Sequence, residues 1–173
     1  MNNRINIIIL SLVFMSSCAG MPDNYPGDFS LVLEWDTGAL PPEYHYQYTI
    51  TIGPGPQGEF AYHPGYDENT PLAWITSFEI GENDLQSLYA YLKDNNILRN
   101  QWESGQPLLG GHGTRIFIDA FNQRYVIPSI SEVSTKEREL VEQTIELIRT
   151  YVPEFIWTEM EQRQSDYGSS FYE

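Results

Sequence analysis

From Tyr44 to Ile52 every second residue is a tyrosine or an isoleucine (Tyr44, Tyr46, Tyr48, Ile50, Ile52), and the residues between them are His45, Gln47, Thr49 and Thr51. Successive side chains of a strand point to opposite faces, so this alternation describes a β-strand with one buried and one wetted face. The pattern recurs in Phe29, Leu31, Leu33 and Trp35, and again in Trp74, Thr76, Phe78 and Ile80. Gly53 to Gly58 turns the chain and Glu59 to His63 returns. Arg115 to Ala120 and Arg124 to Ile127 form a further hairpin across Phe121-Asn122-Gln123, ended by Pro128. A sheet with one apolar face needs a layer to cover it.

Two stretches supply that layer. Leu85, Leu88, Tyr89 and Leu92 fall at helical spacing, with Asn83 and Gln86 as a capping pair and Asn95-Asn96 as a stop. Leu140, Val141, Thr144, Ile145, Leu147, Ile148 and Tyr151 form a wider stripe behind a capping box of Ser134 and Glu137, and Pro153 closes it. Phe155, Ile156 and Met160 read as a short amphipathic turn, and residues 162–173 carry no pattern and should fray. Strands in runs, each run followed by a helix, define an α+β class: an antiparallel sheet of about five to six strands with two main helices packed on one face. A single domain over residues 29–161 and a disordered tail at 162–173 are expected. At 14% aromatic residues, with twelve tyrosines and four tryptophans, the apolar material is bulky and amphipathic, which suits both sheets and binding surfaces.

The chain holds one cysteine, Cys18, so no internal disulfide can form. Before it stand the positive start Met1-Asn2-Asn3-Arg4 and an apolar run from Ile5 to Met15, of signal-peptide length and too short to span a bilayer. The segment Met15-Ser16-Ser17-Cys18-Ala19-Gly20 resembles the lipobox of bacterial lipoproteins, with Met15 where leucine is usual. That resemblance implies a signal peptide over 1–17, a diacylglyceryl thioether on Cys18 and acylation of the new amine, which together anchor the chain in a membrane. Residues 18–28, rich in Pro, Gly, Asn and Asp, read as the tether. Ala19 is not the aspartate that retains enterobacterial lipoproteins at the inner membrane, so the expected address is the bacterial cell envelope, with the outer membrane favoured in a Gram-negative cell.

All 24 acidic residues follow Cys18, and with Arg4 removed eight basic ones oppose them, so the mature part carries sixteen net negative charges. Such a surface excludes nucleic acid as a partner and is repelled by anionic head groups, leaving the membrane contact to the lipid. The order of elements also resembles small uncharacterised bacterial envelope domains, many of them lipoproteins, on Tyr48-Thr49-Ile50-Thr51-Ile52, Gly58-Glu59-Phe60-Ala61-Tyr62, the helix near Leu85, residues 115–127 and the helix from Ser134. The family has no known activity to carry over.

Chemistry is sparse. Gly53-Pro54-Gly55-Pro56-Gln57-Gly58 spells G-x-G-x-x-G, but two prolines remove the N–H groups that would hold a pyrophosphate and a strand follows instead of a helix. No G-x-S-x-G elbow exists, and lipid consumes the only thiol. His45, His63 and His112 have no metal-ligand spacing, so no metal and no cofactor is expected; Asp67-Glu68-Asn69 reads as solvated loop charge. Carboxylates such as Glu34, Asp36 and Asp119 are plentiful without being paired by spacing. Gly110-Gly111-His112-Gly113 allows close backbone approach and sets an imidazole beside Arg115, while Tyr66 lies within the 64–71 loop, where a turn gives no reason for burial, and Trp74 follows that loop. The expected function is a non-catalytic, lipid-tethered domain that binds an envelope protein or glycan at the sheet edge, through Tyr66, Trp74, His112 and Arg115. The alternatives are a small hydrolase using His112 with a carboxylate, and a passive spacer.

Overall fold

A computed structural model describes residues 21–66, 73–105 and 110–172. Six antiparallel strands form one open sheet in the order β4-β3-β2-β1-β5-β6. They are β1 (Ser30–Asp36), β2 (Tyr46–Ile52), β3 (Gln57–Pro64), β4 (Trp74–Glu79), β5 (Gly113–Ala120) and β6 (Gln123–Ile127), and three helices cover the sheet: α1 (Glu82–Asp94), α2 (Thr135–Thr150) and α3 (Glu154–Ser169). The class is α+β, and the alternation seen in the sequence sets the register. Leu31 and Leu33 of β1 lie opposite Ile52 and Ile50 of β2 on one side, and opposite Ile118 and Ile116 of β5 on the other. All six are essentially inaccessible to water and belong to one core with Leu85, Leu88, Val141, Ile145, Ile148 and Ile156 from the helices. Each buried aliphatic side chain of this kind contributes roughly 1.5–3 kcal/mol relative to exposure. The opposite face, with Val32, Glu34, Thr49, His63, Ile75, Arg115 and Val126, carries no helix among the described residues.

Four local expectations are corrected. The chain after Cys18 does not hang free from residue 21 onward. Gln86 donates to the Asp23 carbonyl at 2.7 Å and accepts the Tyr25 N–H at 3.3 Å, Tyr89 donates to the Pro22 carbonyl at 2.8 Å, and Lys93 pairs with Asp23 at 2.8 Å. Because Gln86 is spent on this segment, it does not cap α1, whose N-cap is Gly81. The second capping box fails in the same way. Ser134 is the N-cap of α2 but its side chain makes no capping bond, and Glu137 instead accepts from Arg99 at 2.6 Å and from the Glu103 N–H at 2.8 Å. Tertiary donors outcompete the local reach-back.

The fourth correction is the tail. Residues 162–169 continue a sixteen-residue α3, in which only Ile156 and Met160 are fully buried. Polar and aromatic contacts hold the rest: Tyr62 donates to Gln164 at 2.6 Å, and Gln164 donates to the Glu43 carbonyl at 3.0 Å. No helix among the described residues is long and apolar enough to cross a membrane. Cys18 and the Asp67-Glu68-Asn69 segment lie outside the described residues.

Candidate functional site

The register places four aromatic residues at one level of the sheet. Trp35 pairs with Tyr48, Tyr48 with Tyr62 and Tyr62 with Trp74, so the row crosses β1, β2, β3 and β4 near the end where β1 finishes. Cross-strand neighbours stand close enough for their rings to meet. Trp35 and Tyr48 stack with centroids 4.9 Å apart at 12°. On the β5 side of Trp35, the His112 ring stacks at 5.6 Å and 23°.

Trp157 of α3 closes the row from above, edge-on to Tyr48 at 5.2 Å and to Phe60 at 5.2 Å. Where the chain turns from α2 into α3, Val152 and Pro153 leave a cleft of about 630 Å³ between the sheet and the helices. Trp35, Tyr46 and Tyr48 form its floor, Trp157 and Met160 one wall, and Glu146, Arg149, Glu154 and Glu161 its charged rim. The guanidinium of Arg149 lies 4.8 Å from the Trp157 ring centroid and 3.7 Å from Glu146, too loose a pair to use up its donors. Burial pushes the Tyr46 and Tyr48 hydroxyls above the usual phenol range, against a smaller opposing pull from Arg149, so both remain neutral donors. Tyr48 is 3% exposed, and its hydroxyl is buried without a hydrogen-bond partner.

The residues singled out in the sequence reach this region to different degrees. His112 backs the cleft through Trp35. Tyr66 is 53% exposed but is largely a brace: its ring lies flat on buried His45 at 3.7 Å and 6°, and its hydroxyl donates to the Leu40 carbonyl at 2.7 Å and more weakly to that of Gly38 at 3.2 Å. The loop position that looked free of structural duty therefore holds the 38–40 turn. His45 carries its Nδ1 3.0 Å from the Gly38 carbonyl, so Tyr66 and His45 both secure the turn on which the 110–113 loop rests.

Trp74 stands at the β4 end of the row, with Arg163 over its ring at 4.7 Å. Arg115 separates from the group, because it lies on the uncovered face opposite Glu34 and not beside the His112 stack. Tyr66 and His112 also lie at a strand end and not at a sheet edge, which belongs to β4 and β6. The carboxylate that the His112 loop approaches, Asp36, accepts the Gly38 N–H at 2.7 Å. Among the described residues no three His, Cys, Asp or Glu side chains are grouped to hold a metal ion.

Sequence reasoning missed Trp35, Tyr48, Arg149 and Trp157 as site residues. Trp35 and Tyr48 fit a strand pattern that also describes plain core, and nothing local joins them to Trp157. The one available signal was the placing of Trp157 between Glu154 and Glu161 at helical spacing, an aromatic flanked by charges on one helix face. No protein-family model matches the chain, and no curated protein is significantly similar to it.

Proposed function

We propose that the protein is a lipid-anchored domain of the bacterial cell envelope, held by acyl chains on Cys18, which binds a partner in the cleft between Trp35 and Trp157 without transforming it. The observation that carries this reading is the cleft itself. It combines partly exposed aromatic surface on Trp35, Tyr46 and Trp157, a loosely paired arginine and an unpartnered buried hydroxyl, whereas a passive spacer needs none of these and gains stability by filling them. His112, Tyr66 and Gly38 then act behind the cleft, supporting Trp35 in its floor and the loops at that end. The lipobox supplies the anchor and the sixteen negative charges keep the domain off anionic head groups.

The test places a photo-crosslinking amino acid at Thr150 on the cleft side or at Val126 on the uncovered face of the full chain, in intact envelopes. A saturable adduct, protein or glycan, from position 150 and not from 126 is the expected result. Equal labelling at both positions, or none, makes the domain a spacer.

A further inference from the structure

We propose that the ligand of this cleft is a neutral oligosaccharide segment; the assignment rests on the cleft being the binding site. The cleft offers both kinds of hydrogen-bonding group at once. Tyr48 has a buried hydroxyl lacking a partner and Arg149 has a guanidinium paired only at 3.7 Å, so both have donors to give. Glu146, Glu154 and Glu161 offer only acceptors when ionised. A cationic ligand would meet Arg149 on the rim, and an anionic one would meet three glutamates on a domain already strongly negative. A polyol suffers neither repulsion, and each of its hydroxyls can donate and accept. The apolar C–H faces of a pyranose ring suit the aromatic surfaces of Trp157 and Tyr46, and about 630 Å³ is within the range of small-ligand sites.

Tyr48 sharpens the argument. A buried hydroxyl without a partner leaves its desolvation uncompensated, so in the free protein it opposes stability. A sugar oxygen inserted between Arg149 and Tyr48 would satisfy it. Removing the hydroxyl should therefore weaken the ligand while sparing, or improving, the fold.

The experiment uses the full-length chain in a polyoxyethylene detergent, whose head group is not a sugar, titrated by calorimetry and tryptophan fluorescence. The probes are neutral hexasaccharides of β-linked glucose, β-linked N-acetylglucosamine and α-linked glucose. We expect one of them to bind saturably, with affinity nearly independent of salt. Trp157→Ala should lower it more than about tenfold, and Tyr48→Phe roughly three- to tenfold with thermal stability unchanged or raised. Tyr48→Phe keeps the ring stacks, so it remains informative if Trp157→Ala unfolds. Binding that survives both substitutions overturns the assignment to this cleft. Failure of every saccharide overturns the proposal, and if a Lys/Arg-rich peptide then binds with Trp157 dependence, the cleft reading stands and only the ligand class falls.

Discussion

Two glycines show how closely the backbone is drawn together near and behind the site. Gly38 has φ +74°, and a β-carbon there would lie 2.1 Å from the Gly111 carbonyl oxygen, so the turn braced by Tyr66 and the loop carrying His112 meet at an atom that cannot be added. Gly58 has no such dihedral. Its pair across the sheet is Phe78, whose ring covers the α-carbon so closely that a methyl would sit 2.3 Å from the ring. Gly38→Ala should destabilise by roughly 2–4 kcal/mol, combining a left-handed backbone penalty with a backbone clash. Gly58→Ala should cost about 1–3 kcal/mol, and Phe78→Leu should recover part of it by giving the methyl room. Urea denaturation of the four variants checks both, and recovery of Gly38→Ala by Phe78→Leu would contradict the local origin of either effect.

At the scale of elements, α3 separates what a sequence can and cannot announce. Its burial is thin, with Phe155 64% exposed, and it stays on the sheet through Trp157, Met160, the Tyr62–Gln164–Glu43 hydrogen bonds and Tyr167 against Gly65. A chain stopped after Glu161 should therefore lose about 1–3 kcal/mol of stability, the worth of two or so hydrogen bonds and an aromatic contact. Deletion of a frayed tail would change nothing. The melting temperature of the truncated chain against the full one decides between them. The six strands and helices α1 and α2 were readable because one apolar face imposes period 2 on a strand and 3.6 on a helix, and these faces are wide. The capping bonds were not, although Ser134 does stand at the N-cap of α2, because Gln86 and Glu137 serve the N-terminal segment and Arg99, partners 61 and 38 residues away. The site shares that difficulty. His112 was visible in its glycine loop, but the row Trp35, Tyr48, Tyr62, Trp74 exists only once four strands have chosen their register, and Trp157 joins it from a helix whose apolar stripe is too sparse to see.

The whole molecule has two ends, and β1 runs from one to the other. At its start, Asp28 accepts the Phe121 and Asn122 N–H groups at 3.0 and 2.5 Å, while Phe29 packs on Tyr89 at 5.7 Å and Tyr89 holds Pro22. At its finish, Trp35 enters the cleft, six residues or about 20 Å further along at strand rise. Between Cys18 and docked Pro22 the chain can reach at most roughly 14 Å. In the proposed anchored state the end of the sheet that carries the β5–β6 turn at Phe121-Asn122 and the β2–β3 turn at Gly53 then faces the membrane, and the cleft lies at the opposite end. Because Cys18 would be acylated, any introduced cysteine is the only free thiol, and a fluorophore can be placed at Asn122 or at Thr150 on the exposed surface. In vesicles containing a head-group quencher, the Asn122 label should be quenched strongly and the Thr150 label weakly, and Cys18→Ala should abolish both the quenching and acyl labelling. Equal quenching at the two positions would mean that the docked segment does not hold the domain upright, and a Cys18→Ala chain that still takes acyl label would remove the anchor itself.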